Sequence, residues 1–333
     1  MASKDFSDIV LAQFKDLELL TDDRIGDVLK ILKQSQKELR LRLDALPHGK
    51  FSAAHFSQAK EQVDLYVDLL TQRLNHTLMA GGDLMLERAV QNMVKNLSWA
   101  QEHFTGIEIP VPVGRALDLV ERARSIGAAQ SWAEVEVELA ARVATNENLQ
   151  TLLIHRYESS FESLGADLTK RIGLELATGL SSEEMTGDLY RRIAGSLREY
   201  QGIETESGEF IGESILEENR WAVRAETITR QELSASYNYG QLEAMKDAKE
   251  ELFPDLQRRW YSENDSTRPC TSGVCPRLNG QIVDLDEPFE DPQDGETYQN
   301  PPDPHPNCMC EELPWRSDWT GDESDIWPSD EHD

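Results

Sequence analysis

The sequence predicts an α+β chain, with long helices over the first three-quarters and an irregular strand-and-turn subdomain over the remainder. Three observations carry this. Apolar residues recur on a helical period as far as Lys249, seven prolines crowd residues 288–314, and all four cysteines fall within 270–310. The 333 residues suit two domains of ordinary size. They are read as a helical region over 1–150 and a mixed domain over 151–315. Within the second, a loop-rich subdomain covers about 255–315, and an acidic, tryptophan-bearing tail covers 316–333.

Taken in order, Ile9, Phe14, Leu17, Leu20, Val28, Leu32, Leu39 and Leu43 recur as one buried helical face requires, predicting helix over 5–46. Thr21-Asp22-Asp23 reads as a break within it, Thr21 capping a second helix. Leu46-Pro47-His48-Gly49 is a stop and turn. Phe56, Val63, Tyr66, Leu70, Leu74 and Leu78 predict a second long helix over 51–104, interrupted at Gly81-Gly82. Residues 107–113 read as an extended arm or a plain linker, because two prolines and four β-branched residues oppose helix.

Helices are expected again over 116–125, 132–157 and 185–200, the last opened by Ser181-Ser-Glu-Glu184 in capping-box register. An acidic, glycine-containing excursion follows at 201–212. One long helix over 218–249 then carries Arg230, Glu232, Tyr237 and Tyr239. Arg230 and Glu232 stand two apart and so do not face each other; the expected role is a buried charge paired to the C-terminal lobe. Beyond Pro254, Trp260-Tyr261 and Gln281–Leu285 read as strands, the second after the Asn279-Gly280 turn signal, and the prolines leave the rest as loop.

The formal charge is −29, and residues 251–333 hold 21 acidic against 5 basic side chains, so more than half of it sits on the last quarter. Such a balance opposes a sequence-independent grip on nucleic acid, which Lys and Arg provide. It also opposes an anionic membrane surface. No apolar run approaches the length of a membrane span, and the start is read as lacking a secretory h-region. A reducing, cytoplasmic setting is expected.

A loop-rich segment with so little apolar material needs a staple. Cys270-x4-Cys275 is followed thirty positions later by His305-Pro-Asn-Cys308-Met-Cys310. Four thiols and one imidazole offer one ligand more than tetrahedral zinc needs, both halves lie in turn-forming surroundings, and metal binding there becomes folding energy. Cys270, Cys275, His305, Cys308 and Cys310 are therefore the candidate ligands of a structural zinc. Free buried thiols and one or two disulfides stand as alternatives. His48, His55, His76, His103 and His155 have no i, i+4 partner and are assigned no function.

These residues resemble a known family. Trp260…Asp265-x-x-Arg268…Cys275-Pro-x-Leu278-Asn279-Gly280, then Pro301-Pro302…His305-Pro-Asn-Cys308-Met-Cys310, is similar to the C-terminal signature of the phage Mu F-like head morphogenesis proteins, also called minor capsid proteins. The stretch from Ala225 to Gly240 resembles that family's "ARTE…A-x-N-x-G" helix, and Gly179-Leu-Ser-Ser-Glu-Glu184 its preceding turn. The pieces come in the family's order over about 155–315. Met309 departs from the usual arginine, Gln231 from the usual threonine, and the first cysteine pair is spread to x4.

The resemblance implies a mixed Mu F-like domain and a structural role in the phage head, without enzymatic activity. The partners it implies are the portal protein and/or the major capsid protein, with self-association and a part in DNA delivery left open. The implied location is the virion, internal or neck-proximal, and the host cytoplasm during assembly. No membrane and no sequence-specific nucleic acid is expected as a partner. The competing class is a zinc-dependent hydrolase or transferase using Arg230, Glu232 and His305. The tail's tryptophans, Trp315, Trp319 and Trp327, suit docking on another head protein; the alternative is that Trp315 and Trp319 fold back on their own domain, which is the expectation for Trp315.

Overall fold

The computed structural model describes residues 6–103, 128–182, 184–201, 221–262, 273–301, 303–305, 308 and 310–317. The expected arm at 107–113, the helix at 116–125, nearly all of the excursion at 201–212, Cys270 and the tail beyond residue 317 lie outside them. Helices α1 (Phe6–Asp44), α2 (Ala53–His103), α3 (Ala128–Thr145), α4 (Glu147–Ser160), α5 (Glu162–Ser181), α6 (Thr186–Gln201) and α7 (Trp221–Glu251) precede all the strands. Then come β1 (Gln257–Tyr261), α8 (Val274–Leu278), β2 (Ile282–Asp284), β3 (Phe289–Glu290), β4 (Thr297–Tyr298) and β5 (Glu311–Trp315). The fold is thus mostly helical with a small antiparallel sheet, an α+β arrangement. No helix among the described residues is long and apolar enough to cross a membrane.

Two compact units divide the chain. One comprises Met1–Leu20, Gly81–Leu153 and Leu233–Asp333, the other Thr21–Ala80 and Ile154–Glu232. They interleave along the sequence and do not follow the order of a 1–150 and a 151–315 division. The expected breaks at Thr21 and Gly81 are not helix ends, since α1 and α2 run through both. Thr21 is buried and Asp22-Asp23 face solvent, so the polar triplet obeys the helical period and its side chains are not needed as caps. Gly81 and Gly82 are buried in α2; the cost of about 1 kcal/mol per helical glycine is met by packing along the rest of the helix. Both signals coincide with the places where the chain passes between units.

In the second unit, Ile25, Val28, Leu32, Leu39 and Leu43 form the buried stripe of α1, and Val63, Tyr66, Leu70, Leu74 and Leu78 that of α2. Tyr66 donates to Ser35 Oγ at 3.0 Å, which satisfies the phenol inside this core. Burial pushes that phenol up to about 12. Leu164, Leu168, Ile172 and Leu176 give α5 its own buried face. The capping box expected before α6 does not form. Ser181 belongs to the last turn of α5, and Glu184 accepts from Arg192 at 2.9 Å. Residues 184–186 pair instead with 49–51, through Phe51 N–H to Glu184 O at 2.8 Å and Thr186 N–H to Gly49 O at 2.9 Å. Arg230 donates to Glu226 at 3.2 Å and Asp22 at 3.4 Å, and Glu232 accepts from Arg156 at 2.8 Å. Glu226 is on α7 itself, and Asp22 and Arg156 are on other helices of the same unit, so these ion pairs are not the expected ones to the C-terminal lobe.

The single helix expected over 132–157 is two. Asn146 separates them, its Oδ1 accepting from Leu149 N–H at 3.0 Å as an N-cap with Glu147 in the first turn.

The first unit carries the sheet. Strand order is β2-β1-β5, both pairings antiparallel, with Trp260 opposite Glu312, Tyr261 opposite Glu311 and Arg259 opposite Ile282. The prolines therefore do not leave 288–314 as bare loop, as the sequence suggested. β3 and β4 make a hairpin closed by Gly295 at φ +78°, and β5 accommodates Pro314 as an edge strand. Glu312 N–H points outward from β5, so Pro314, two residues on, lacks only an outward donor and costs the ladder nothing.

Alternation on the strands sends successive side chains to opposite faces. Tyr261 and Leu313 pack with Val10 and Phe14 of α1, and Trp99 and Trp315 lie against this cluster. Trp315 thus folds back on its own unit, as expected. Trp260 goes to the other face, into a core with Cys275, Leu278, Phe289, Cys308 and Cys310.

Candidate metal centre

Each part of this second core is positioned by local chemistry. Gly273 sits at φ +70°, which only glycine adopts without strain, and turns the chain into α8, where Cys275 is buried. Arg277 holds α8 in place. It donates to Gly273 O at 2.8 Å and forks onto Asp291, Nε to Oδ1 at 2.9 Å and Nη2 to Oδ2 at 2.5 Å. That guanidinium holds the Asp291 carboxyl below its usual range. Asn279-Gly280 then returns the chain to β2, with Gly280 at φ +80° and its N–H bonded to Trp260 O at 2.9 Å. On the far side, Cys308 N–H bonds His305 O at 3.3 Å, a turn that lets both side chains face the same point.

Cys275 Sγ lies 3.0 Å from His305 Nε2 and 3.6 Å from Cys308 Sγ. The ligand atoms of these three residues all fall within 4.8 Å of one another. Tetrahedral zinc, at about 2.3 Å to sulfur and about 2.0 Å to nitrogen, sets edges of about 3.8 Å and about 3.6 Å. The sulfur pair is close to that size and the sulfur–nitrogen contact is shorter, and Cys275, His305 and Cys308 are near enough to one another that they could hold a metal ion. Both cysteines are buried and free of disulfides, and the imidazole is half-buried.

Cys310 lies in the same core. Burial pushes its thiol up, but the neighbouring Cys275 and Cys308 prevail and hold it well below the ordinary thiol range. Cys275 is pushed up by its hydrogen bonds to Cys308 and Cys310 and then by burial. Cys308 is pulled down by Cys275 but raised on balance by Cys310 and burial. A divalent cation entering among these thiols would displace their protons. Ser262 Oγ and Trp260 Nε1 are buried without a hydrogen-bond partner, and Trp260 shares a core with Cys310. Both are donors available to a thiolate, of the kind that surrounds such sites. The sequence analysis did not find this pair. Its signal is period-two spacing from Trp260 to Ser262 on the strand that faces the cysteines.

Two devices hold β5, which begins one residue after Cys310. Asn238 of α7 donates its amide N–H to Cys310 O at 3.2 Å and accepts Glu312 N–H at 3.2 Å, so one side chain completes the outer edge of β5. Gly240, two residues on, permits the approach. A Cβ there would lie 2.9 Å from Leu86 Cδ2 and 3.0 Å from Ala89 Cβ on α2. Replacing Asn238 by Leu strands a buried N–H and a buried carbonyl. It is expected to cost about 2–4 kcal/mol in a urea unfolding measurement.

The other device is Arg258, wholly buried on β1. It donates to both oxygens of Glu312 at 3.0 and 3.1 Å, to Glu287 O at 2.5 Å, to Gln299 O at 2.8 Å and to Asn300 Oδ1 at 3.2 Å. Its guanidinium also lies over the Phe289 ring, 4.8 Å from the centroid. Burial pushes the Glu312 carboxyl up to about 7 against the opposing pull of Arg258.

Of the five residues the sequence singles out, Cys275, His305 and Cys308 lie within ligand distance of one another, Cys310 lies in the same core as the two cysteines, and Cys270 lies outside the described residues. No family model, curated protein or solved structure matches the chain. The fold and site define a mostly helical α+β protein with a buried thiol–imidazole cluster at the edge of its sheet.

Proposed function

We propose that the chain is a structural assembly protein of a phage head, of the Mu F-like kind, whose sheet-bearing subdomain is held by one zinc ion. The ligands are Cys275, His305, Cys308 and Cys310, a closed set that leaves no position for water. Bound there, zinc supplies a cross-link between residues 33 apart in sequence, Cys275 and Cys308. With zinc bound, Trp260 and Ser262 are the buried donors available to the Cys310 thiolate, and Asn238 ties the backbone from Cys310 to Glu312 to α7.

One observation carries the reading. The upstream helical piece of the resemblance and both halves of the downstream piece meet at one place, Asn238 bonding the backbone on either side of Glu311 while Trp260, Cys275, Leu278, Cys308 and Cys310 share a core. Residues that resemble a family signature but served no common structure would have no reason to converge. The −29 charge fits a protein partner better than a genome. The partner is the portal protein or the major capsid protein. Co-expression with each, followed by affinity capture and size-exclusion chromatography, is expected to give a co-eluting complex with one of them. A chain that stays monomeric beside both would contradict the proposal.

A further inference from the structure

The two edges of the three-stranded sheet differ. On β5 the outer backbone is met by the Asn238 side chain of α7. The sheet ends at β2 on the other side, and among the described residues nothing pairs with the outer side of that strand. Register decides which groups lie open there. Trp260 N–H bonds Gln281 O at 2.9 Å, so by antiparallel alternation Arg258 and Val283 form the next hydrogen-bonded pair. Val283 therefore turns its N–H and C=O to β1, while Ile282 and Asp284 turn theirs outward. Asp284 O accepts Glu287 N–H at 3.0 Å, which leaves the N–H and C=O of Ile282 and the N–H of Asp284. Both residues are exposed, Ile282 at 38%. An open edge of this kind takes an extended segment as a further strand.

Charge around the edge selects which segment. Asp284 lies on β2 itself, and Asp286 and Glu287 lie on the turn that leaves it. Glu290 of β3 is tied to the start of β2, its backbone bonded at 2.9 and 3.0 Å by the amide of Gln281. All four of these acidic residues are exposed. No lysine or arginine occurs between Arg277 and Arg316. The arginines nearby are engaged elsewhere: Arg277 with Asp291, Arg258 with Glu312, and Arg259 over the Trp315 ring, 5.3 Å from its centroid. A second copy of this edge would set carboxylates against carboxylates, which opposes pairing. A strand that carries lysine or arginine meets opposite charge instead.

We propose that the outer edge of β2 is a docking site for an extended, lysine- or arginine-rich segment of a partner protein, which adds to the sheet as a further strand. The backbone of Ile282 and the N–H of Asp284 supply the pairing, and the surrounding carboxylates supply the preference for a basic sequence. The inference goes beyond the head-assembly reading and does not rest on it, so the failure of one leaves the other standing.

The test uses the full chain and a fluorescein-labelled heptapeptide of alternating lysine and valine, with hydrogen exchange followed at single amides by NMR. In the free protein the Ile282 and Asp284 amides are expected to exchange fast and the Val283 amide slowly. Saturating peptide is expected to slow Ile282 and Asp284 at least about tenfold and to leave Val283 unchanged. By fluorescence anisotropy, a peptide with glutamate in place of lysine is expected to bind at least about tenfold more weakly, as is the lysine peptide to protein carrying Asp284→Lys with Glu290→Lys. Ile282→Pro removes an outward donor and is expected to weaken binding likewise, slow exchange at Val283 showing that the sheet is intact. The exchange measurement on the unaltered protein decides the matter even where a variant does not fold. Slow exchange at Ile282 and Asp284 in the free protein, no binding of the lysine peptide, binding that leaves those two amides fast, or equal affinity for the glutamate peptide each overturns the site.

Discussion

Chelating zinc from the purified protein at neutral pH is expected to unfold the subdomain around β1, α8 and β5. Structural zinc contributes on the order of 10 kcal/mol in small sites, comparable with the whole stability of an ordinary domain. The elements that remain without it are three strands of three to five residues, a hairpin with two residues per strand and a helix of five. Such pieces do not hold together alone. Hydrogen exchange should show β1 and β5 losing protection on chelation, while the α1–α2 and α5–α6 packing of the second unit keeps it. Cys308→Ser should reproduce the effect without chelator.

The pH dependence has a definite sign. The metal-bound state carries thiolates where the unfolded chain carries thiols, so the folded state binds fewer protons and stability rises with pH. Acidification, not alkali, should therefore release the ion and open the subdomain. Unchanged protection after complete metal removal would contradict the staple.

Arg258→Ala is expected to be the most damaging single substitution away from the ligands, at about 3–5 kcal/mol. It leaves Glu312 buried without its partner and releases the Glu287 and Gln299 carbonyls and the Asn300 side chain, which tie the hairpin segment to the sheet. Replacing both partners, Arg258→Met with Glu312→Met, should cost less than Arg258→Ala alone, because no charge is then left buried. The backbone carbonyls stay unpaired in the double variant, so stability should not return fully. Urea unfolding of the two single and one double variants measures the coupling, expected at about 1–3 kcal/mol. A cost for Arg258→Ala under about 1 kcal/mol would remove Arg258 from its assigned role.

How much of this was legible beforehand depended on the length scale of each signal. The helices were readable because stripes such as Val63 to Leu78 repeat over many turns. Their interruptions were not, because Thr21 and Gly81 are local signals that neighbouring packing overrides, and Asn146 is a single cap in a helical pattern. Strands of two or three residues have no period to detect. β5 also hides behind two glutamates and a proline, whose settings are distant in sequence: Glu312 pairs with Arg258, Glu311 accepts from Tyr237 at 3.1 Å, and Pro314 lies on an edge.

The cluster itself was visible in its residue types, since cysteine and histidine have few other reasons to gather in a loop-rich segment. What spacing could not show is that Cys310 points with Cys275 and Cys308 despite its close spacing to Cys308. A strand beginning at Glu311, held by Asn238, sets that direction.

The central claim is a closed metal site built from three thiolates and one imidazole. X-ray absorption at the zinc edge on protein purified without added metal tests it most directly. The account predicts one equivalent of zinc with three sulfur neighbours at about 2.3 Å and one nitrogen at about 2.0 Å. Protein that holds no stoichiometric metal, or zinc with an oxygen neighbour in place of one of these ligands, would contradict it.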